Sequence, residues 1–94
     1  MIQSFADKDT ELIWSGQRSR SLPADVQKRA LDKLKLLNRA RVLNDLRNPP
    51  SNRLHQLSGD RGDQHSLSIN MQWSICFVWK DGDAHGIEIT NHYT

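Results

Sequence analysis

The stretch QWSICFVWKDGDAHGIEIT, residues 72–90, decides the fold. Its first half is rich in β-branched and aromatic residues around Ile75-Cys76-Phe77-Val78-Trp79, which suits a buried strand and is far too short to span a bilayer. Lys80-Asp81-Gly82-Asp83 is a hairpin signal, because Asp-Gly supplies the positive φ that a tight turn between strands needs. Beyond it "AHGIEI" alternates, with Ile87 and Ile89 facing one way and Glu88 the other. An antiparallel hairpin then sets Trp73–Trp79 beside Ala84–Ile89. Ser74 falls near the residues that end the chain.

Upstream, "HSLSIN" alternates in the same way, Leu67 and Ile69 against Ser66 and Ser68, and Asn70-Met71 reads as a tight turn into the longer strand. "SGDRGD" is another turn, preceded by "RLHQL", a short and only loosely strand-like segment with Leu54 and Leu57. Before Pro50 the period changes. "SLPADVQKRALDKLKLLNRA" places Val26, Ala30, Leu31, Leu34 and Leu37 at helical spacing, with Pro23 near the start where its missing N–H costs nothing. Lys28, Arg29, Asp32, Lys33 and Lys35 fall mostly on the outer face. "ADKDTELIWSG" reads as a shorter helix with acids in its first turn and Gly16 as its stop. "RVLNDL" continues as a brief helical turn until "NPPSN" breaks it, and "MIQSF" reads as a short first strand. Helices first and a strand meander second predict an α+β fold, two helices on an antiparallel sheet, with residues 1–94 as one domain.

With 94 residues the chain can bury one modest core. Cys76 is its single cysteine and lies in the apolar run, so it is expected to be a buried packing thiol rather than half of an internal disulfide. The start carries no basic region followed by an apolar stretch, and the expectation is a cytoplasmic protein with no membrane partner. The net charge of +2 conceals an asymmetry: residues 17–61 hold eleven Lys/Arg against four Asp, a balance of +7, while the rest holds two Lys against seven acids, −5. A basic middle of this kind suits a polyanion, and it equally suits a helix with a solvated basic face. The sequence has no glycine-rich phosphate loop, no paired cysteines and no zinc-type His/Glu helix motif, so neither a metal nor a cofactor is expected.

The polar groups at strand ends remain. His55 and His65 flank the loop that carries Arg61, and Asn91, His92 and Tyr93 follow the last strand. If "RLHQL" packs on the same sheet, His55, Arg61 and Asn91–Tyr93 converge. Imidazole, phenol and guanidinium groups in a basic concavity suit phosphodiester chemistry on RNA, one group taking a proton, another returning it, and an arginine facing the phosphorus. Taken singly, a strand-end histidine is usually a surface hydrogen-bonder.

The block PPSNRLHQLSGDRGDQHSLSINMQWSICFVWKDGDAHGIEITNHY, residues 49–93, resembles the C-terminal half of HigB-type toxins in the RelE-like group of bacterial toxin–antitoxin systems. The opening "MIQSF" and the basic helix resemble them too, so the likeness covers essentially the whole chain. It implies two helices on a curved antiparallel sheet, and a ribosome-dependent endoribonuclease that cuts translated mRNA without a metal. It also implies an antitoxin partner of the HigA-like helix-turn-helix kind, with operator DNA met only through that antitoxin. The resemblance puts catalysis on His55, Asn91, His92 and Tyr93, with His92 or His55 as acid or base and Tyr93 positioning. RNA and phosphate contacts would come from Arg53, Arg61 and Ser74, and from Arg18, Arg20, Lys28, Arg29, Lys33 and Lys35 around the helix. Three departures stand out: relatives commonly end Asp-Tyr-His, commonly carry a basic residue where this chain has Ser74, and in some cases carry a lysine near the position of Ser58. The alternative is a non-catalytic or attenuated member, either directed at gyrase like the ParE-type proteins or binding only its antitoxin.

Overall fold

A computed structural model of the chain describes residues 1–91. Two helices, α1 (Lys8–Trp14) and α2 (Ala24–Arg39), precede four strands: β1 (His55–Gln56), β2 (Gln64–Ser68), β3 (Ser74–Lys80) and β4 (Asp83–Thr90). The strands form one antiparallel sheet in the order β1-β2-β3-β4. This is the α+β arrangement that the hydrophobic periods imply, and the reason is packing. Leu67, Ile75, Phe77, Ile87 and Ile89 are buried in one core with Ile13 of α1 and Val26, Ala30, Leu34 and Leu37 of α2.

The hairpin at 80–83 follows the expected chemistry. Asp81 and Gly82 both take positive φ, 55° and 79°, the signature of the turn whose twist matches the flanking strands. Pairing runs Ser74 to Thr90, Ile75 to Ile89 and Cys76 to Glu88, then shifts, so that Val78 meets His85. Gly86 sits in this irregularity with φ 58°. A bulge of this kind bends its strand and re-aims the side chains beyond it.

Sequence and structure differ at three places, each for a physical reason. The N-terminal strand is reduced to two parallel bridges, Ile2 with Ala84 and Phe5 with Ile87. The chain hydrogen-bonds the outer edge of β4 there, as in Gln3 N–H to Ala84 O at 2.8 Å, and so covers an open sheet edge. β3 begins at Ser74 because Gln72 and Trp73 are held in the preceding loop: both of their N–H groups donate to Asn70 Oδ1, at 2.8 and 2.7 Å. β1 is two residues long and cannot extend back past Leu54, because Arg53 is left-handed, φ 47° and ψ 48°.

Side-chain polar groups fasten the layers together. Asp7 caps α1 by accepting from the Thr10 N–H at 2.9 Å, and the buried Thr10 hydroxyl accepts from the Ile89 N–H at 3.0 Å. The helix is thereby bound to the end of β4, next to the residues of interest. Among the described residues, no helix is long and apolar enough to cross a membrane.

Candidate active site

Directly opposed residues in neighbouring strands share a face of the sheet. His55 opposes Ser66, Ser66 opposes Cys76 and Cys76 opposes Glu88, so one row crosses all four strands on the face turned away from the helices. The next row is Ser68, Ser74 and Thr90, and it leads into Asn91. At a strand spacing of about 5 Å, His55 and Ser74 therefore lie diagonally across β2 from each other.

They meet in a small cleft of about 160 Å³, lined by Arg53, His55, Ser66, Ser68, Ser74 and the loop residues Asn70–Gln72. A larger depression of about 530 Å³ lies between α2 and the β2–β3 loop, bringing Arg29, Asp32 and Lys33 to the same loop. Arg53, Ser68, Asn70 and Met71 line both, so the two run together as one groove. The rim residue Met71 is 88% exposed, an apolar surface beside three cations. His55 itself is exposed, with Nδ1 3.1 Å from the Arg53 carbonyl oxygen.

Arg61 has a different position from the one its place in the loop suggests. The turn Gly59–Arg61 lays its guanidinium over the first row, where Nη2 donates to Glu88 Oε1 at 2.8 Å and Nη1 contacts Cys76 Sγ at 3.9 Å. Glu88 thus neutralises Arg61 on the same face as His55. Cys76 is the buried thiol that the apolar run implies; burial pushes its pKa up, against the pull of Arg61. His65, one residue out of step with His55, points to the other face and stacks on Phe77 with ring centroids 6.1 Å apart. Burial holds its pKa below the ordinary value, with the neighbouring His55 and Arg47 acting in the same direction, and it is a packing histidine.

The cations around α2 do not form one patch. Arg29 and Lys33 join Arg53 in the groove. Arg18 and Lys28 border a separate depression at the α1–α2 junction, while Lys35 and Arg39 border a third beside Trp14 and Leu36. Arg20 is exposed in the connection between the helices. A helix turns about 100° per residue, so cations spread over residues 28–39 must fan around its axis. Lys33 is half-buried, with its Nζ donating to Asn52 Oδ1, and desolvation lowers its pKa. Asn91 is exposed after β4. His92 and Tyr93 lie outside the described residues.

Sequence reasoning missed Asn52. It is fully buried, and its Nδ2 donates to the carbonyls of Leu46 at 3.0 Å and Asn48 at 3.1 Å. "NPPSN" reads as a helix breaker, and only its closing Asn, a side chain that can both donate and accept, hints at a fastener. Among the described residues, no group of three or more His, Cys, Asp or Glu comes together as a metal would need.

A small α+β fold with a basic cleft on its open sheet face defines the class of protein. The fold is similar to that of a YafQ point mutant from E. coli, with TM-score 0.60 and 17% identity over 98% of this chain and 92% of that one. Residues 3–92 match the profile of the HigB-like toxin family, the RelE-like toxin of the type II toxin–antitoxin system HigB. Among individual relatives, the chain is 32% identical over 93 residues to Toxin HigB-1 of Vibrio cholerae, covering 98% of each chain. It is 29% identical over 93 residues to Endoribonuclease HigB of Proteus vulgaris, covering 99% of this chain and 100% of that one. The chain belongs to the HigB-like family of RelE-like toxins of type II toxin–antitoxin systems. A partner antitoxin follows from membership of such a system.

Proposed function

We propose that this toxin, acting as one domain over residues 1–94, is an endoribonuclease that cuts mRNA during translation in the cytoplasm. The observation that supports the reading is the cleft where His55, Arg53 and Ser74 meet, entered by a groove that carries Arg29 and Lys33. A relative over its whole length is named an endoribonuclease.

The chemistry is attack of a ribose 2′-hydroxyl on the adjacent phosphate, leaving a 2′,3′-cyclic phosphate and a 5′-hydroxyl. One group removes the 2′ proton as the new P–O bond forms, and another protonates the departing 5′ oxygen as the old bond breaks. His55 supplies one of these groups and the Asn91, His92 and Tyr93 cluster the other. Arg53 balances the charge that gathers on the phosphoryl oxygens. Arg61 is tied to Glu88, which leaves Arg53 as the arginine that lines the cleft. The remaining cations at Arg18, Arg20, Lys28 and Lys35 contact ribosomal RNA through its phosphates. The antitoxin is a HigA-like helix-turn-helix protein, and operator DNA is met only through it.

The test is in-vitro translation of a defined mRNA with the purified toxin, mapping mRNA ends by primer extension. Codon-phased cuts that disappear with His55→Ala or His92→Ala are the expected result. Uncut mRNA with wild-type toxin at high concentration defeats the proposal. Ser74 favours a second reading, an attenuated toxin, since it puts a neutral hydroxyl in the cleft lining beside Arg53 and His55. Cuts that arise only with Ser74→Arg identify that case, and altered DNA supercoiling with intact mRNA identifies a gyrase-directed toxin.

A further inference from the structure

A histidine that must take or give a proton at one ring nitrogen needs the other nitrogen held, because the hydrogen bond at the second atom selects the tautomer. In the cleft, His55 Nδ1 lies 3.1 Å from the carbonyl oxygen of Arg53, two residues back. A carbonyl oxygen has no hydrogen to give. The contact is therefore a hydrogen bond only when Nδ1 carries the proton, which leaves the Nε2 lone pair as the basic site.

That carbonyl does not reach His55 by default. Arg53 takes φ 47° and ψ 48°, a left-handed conformation that is unfavourable for a non-glycine residue and persists where the surroundings hold it. The surroundings here are specific. The Asn52 and Arg53 N–H groups donate to the carbonyls of Pro49 and Pro50, at 2.9 and 3.0 Å, closing the tight turn at Pro50–Asn52. The side chain of Asn52, 0% exposed, binds that turn to the rest of the molecule in three directions. Its Nδ2 donates to Leu46 O and Asn48 O, and its Oδ1 accepts from Lys33 Nζ on α2. From α2 to the imidazole there is one continuous path: Lys33, Asn52, the Arg53 backbone, His55.

We propose that Asn52 is a positioning residue for His55: by fixing the left-handed turn at Arg53 it aims the Arg53 carbonyl at Nδ1 and reserves Nε2 for the proton transfer. The catalytic consequence rests on the reading of His55 as an acid or base, and the two parts fail separately. Asn52 touches no substrate, and the guanidinium of Arg53 plays no part in selecting the tautomer. An amide is required at position 52 because two carbonyls and one ammonium demand a side chain that donates twice and accepts once. Aspartate keeps the shape and the Lys33 contact but sets carboxylate oxygen against two carbonyl oxygens.

The test is long-range 1H–15N correlation of the His55 ring in the full chain, with single-turnover cleavage on translating ribosomes as a second readout. Wild-type His55 is expected as the Nδ1–H tautomer. Arg53→Gly keeps a residue at home in the left-handed region and keeps the carbonyl, so the tautomer should persist while substrate binding weakens. Asn52→Asp should give a mixture of tautomers, and a maximal cleavage rate reduced by roughly tenfold at little change in half-saturation, part of the roughly 10²- to 10⁴-fold that a positioned acid or base supplies. An Nε2–H tautomer in the wild type overturns the proposal. So does loss of the Nδ1–H form in a folded Arg53→Gly, or an Asn52→Asp chain that keeps both tautomer and rate. If Asn52→Asp does not fold, the wild-type and Arg53→Gly spectra decide. Full cleavage by His55→Ala overturns the catalytic reading of His55 and leaves the tautomer result standing.

Discussion

Ser74 stands where two cross-strand relations meet, paired with Thr90 beside the chain's end and lining the cleft with Arg53 and His55. A guanidinium there would reach the same phosphate as Arg53. Ser74→Arg is expected to raise the cleavage rate by about tenfold or more, since charge-assisted hydrogen bonds to a developing oxyanion are among the strong ones. Primer extension on timed translation reactions measures this, and an unchanged rate would mean that Arg53 alone meets the phosphate. His65 makes the opposite case, a histidine placed for packing. Its pKa is lowered in the fold, so the unfolded chain binds the proton more readily, and stability rises with pH across the window between the two values. The contribution is complete above about pH 6.5, the ordinary histidine value, and is lost as pH falls below it. His65→Phe, which keeps a ring on Phe77, is expected to flatten the fall in Tm between about pH 7 and about pH 5 that the wild type shows by calorimetry. His55 and His65 look alike in the sequence. One residue of strand register sends them to opposite faces.

The elements were legible to different degrees, and the range over which each is determined accounts for it. The β3–β4 hairpin and α2 were readable because their signals are local: Asp81-Gly82 for the turn, and apolar residues at 26, 30, 34 and 37 for the helix. β1 was not, because its two residues depend on how Asn52 anchors the preceding turn to α2, a contact across nineteen positions. The N-terminal segment was legible as extended but not as parallel to β4, since nothing local names its partner. These differences predict where the fold is sensitive. Leu34→Ala leaves a cavity under the sheet at a residue with no exposed surface, and is expected to cost about 2–5 kcal/mol, at least about 8 °C in Tm. The neighbouring Lys35→Ala, on the exposed side of the same helix, should stay within about 0.5 kcal/mol. Thermal melts of the two variants side by side check the assignment of faces.

Across the whole molecule, the open sheet face and the flank of α2 form one basic path, while the acids lie mostly towards the two ends of the chain. Association with ribosomes should therefore weaken steeply with salt. Replacing Arg29 or Arg53 by Gln is expected to lower the slope of log affinity against log salt by about one for each cation, whereas Lys80→Gln, at the far end of β3, should leave it unchanged. Pelleting assays over a salt series give the slope directly. Much of the protein was determined by the sequence alone: the fold class, the faces of α2, the hairpin and its approximate register, and the likeness to the HigB-type toxins. Those properties follow from periodicity, turn chemistry and motif order, which act over a few residues at a time or are read directly as text. Only the tertiary structure decided that His55 shares a cleft with Arg53 and Ser74 while His65 packs against Phe77. Only it tied Arg61 to Glu88, and bound Asn52 to α2 and two carbonyls at once. Each of these depends on strand register and on one buried polar side chain, interactions between residues far apart in the chain, and no local pattern specifies which distant partner they meet.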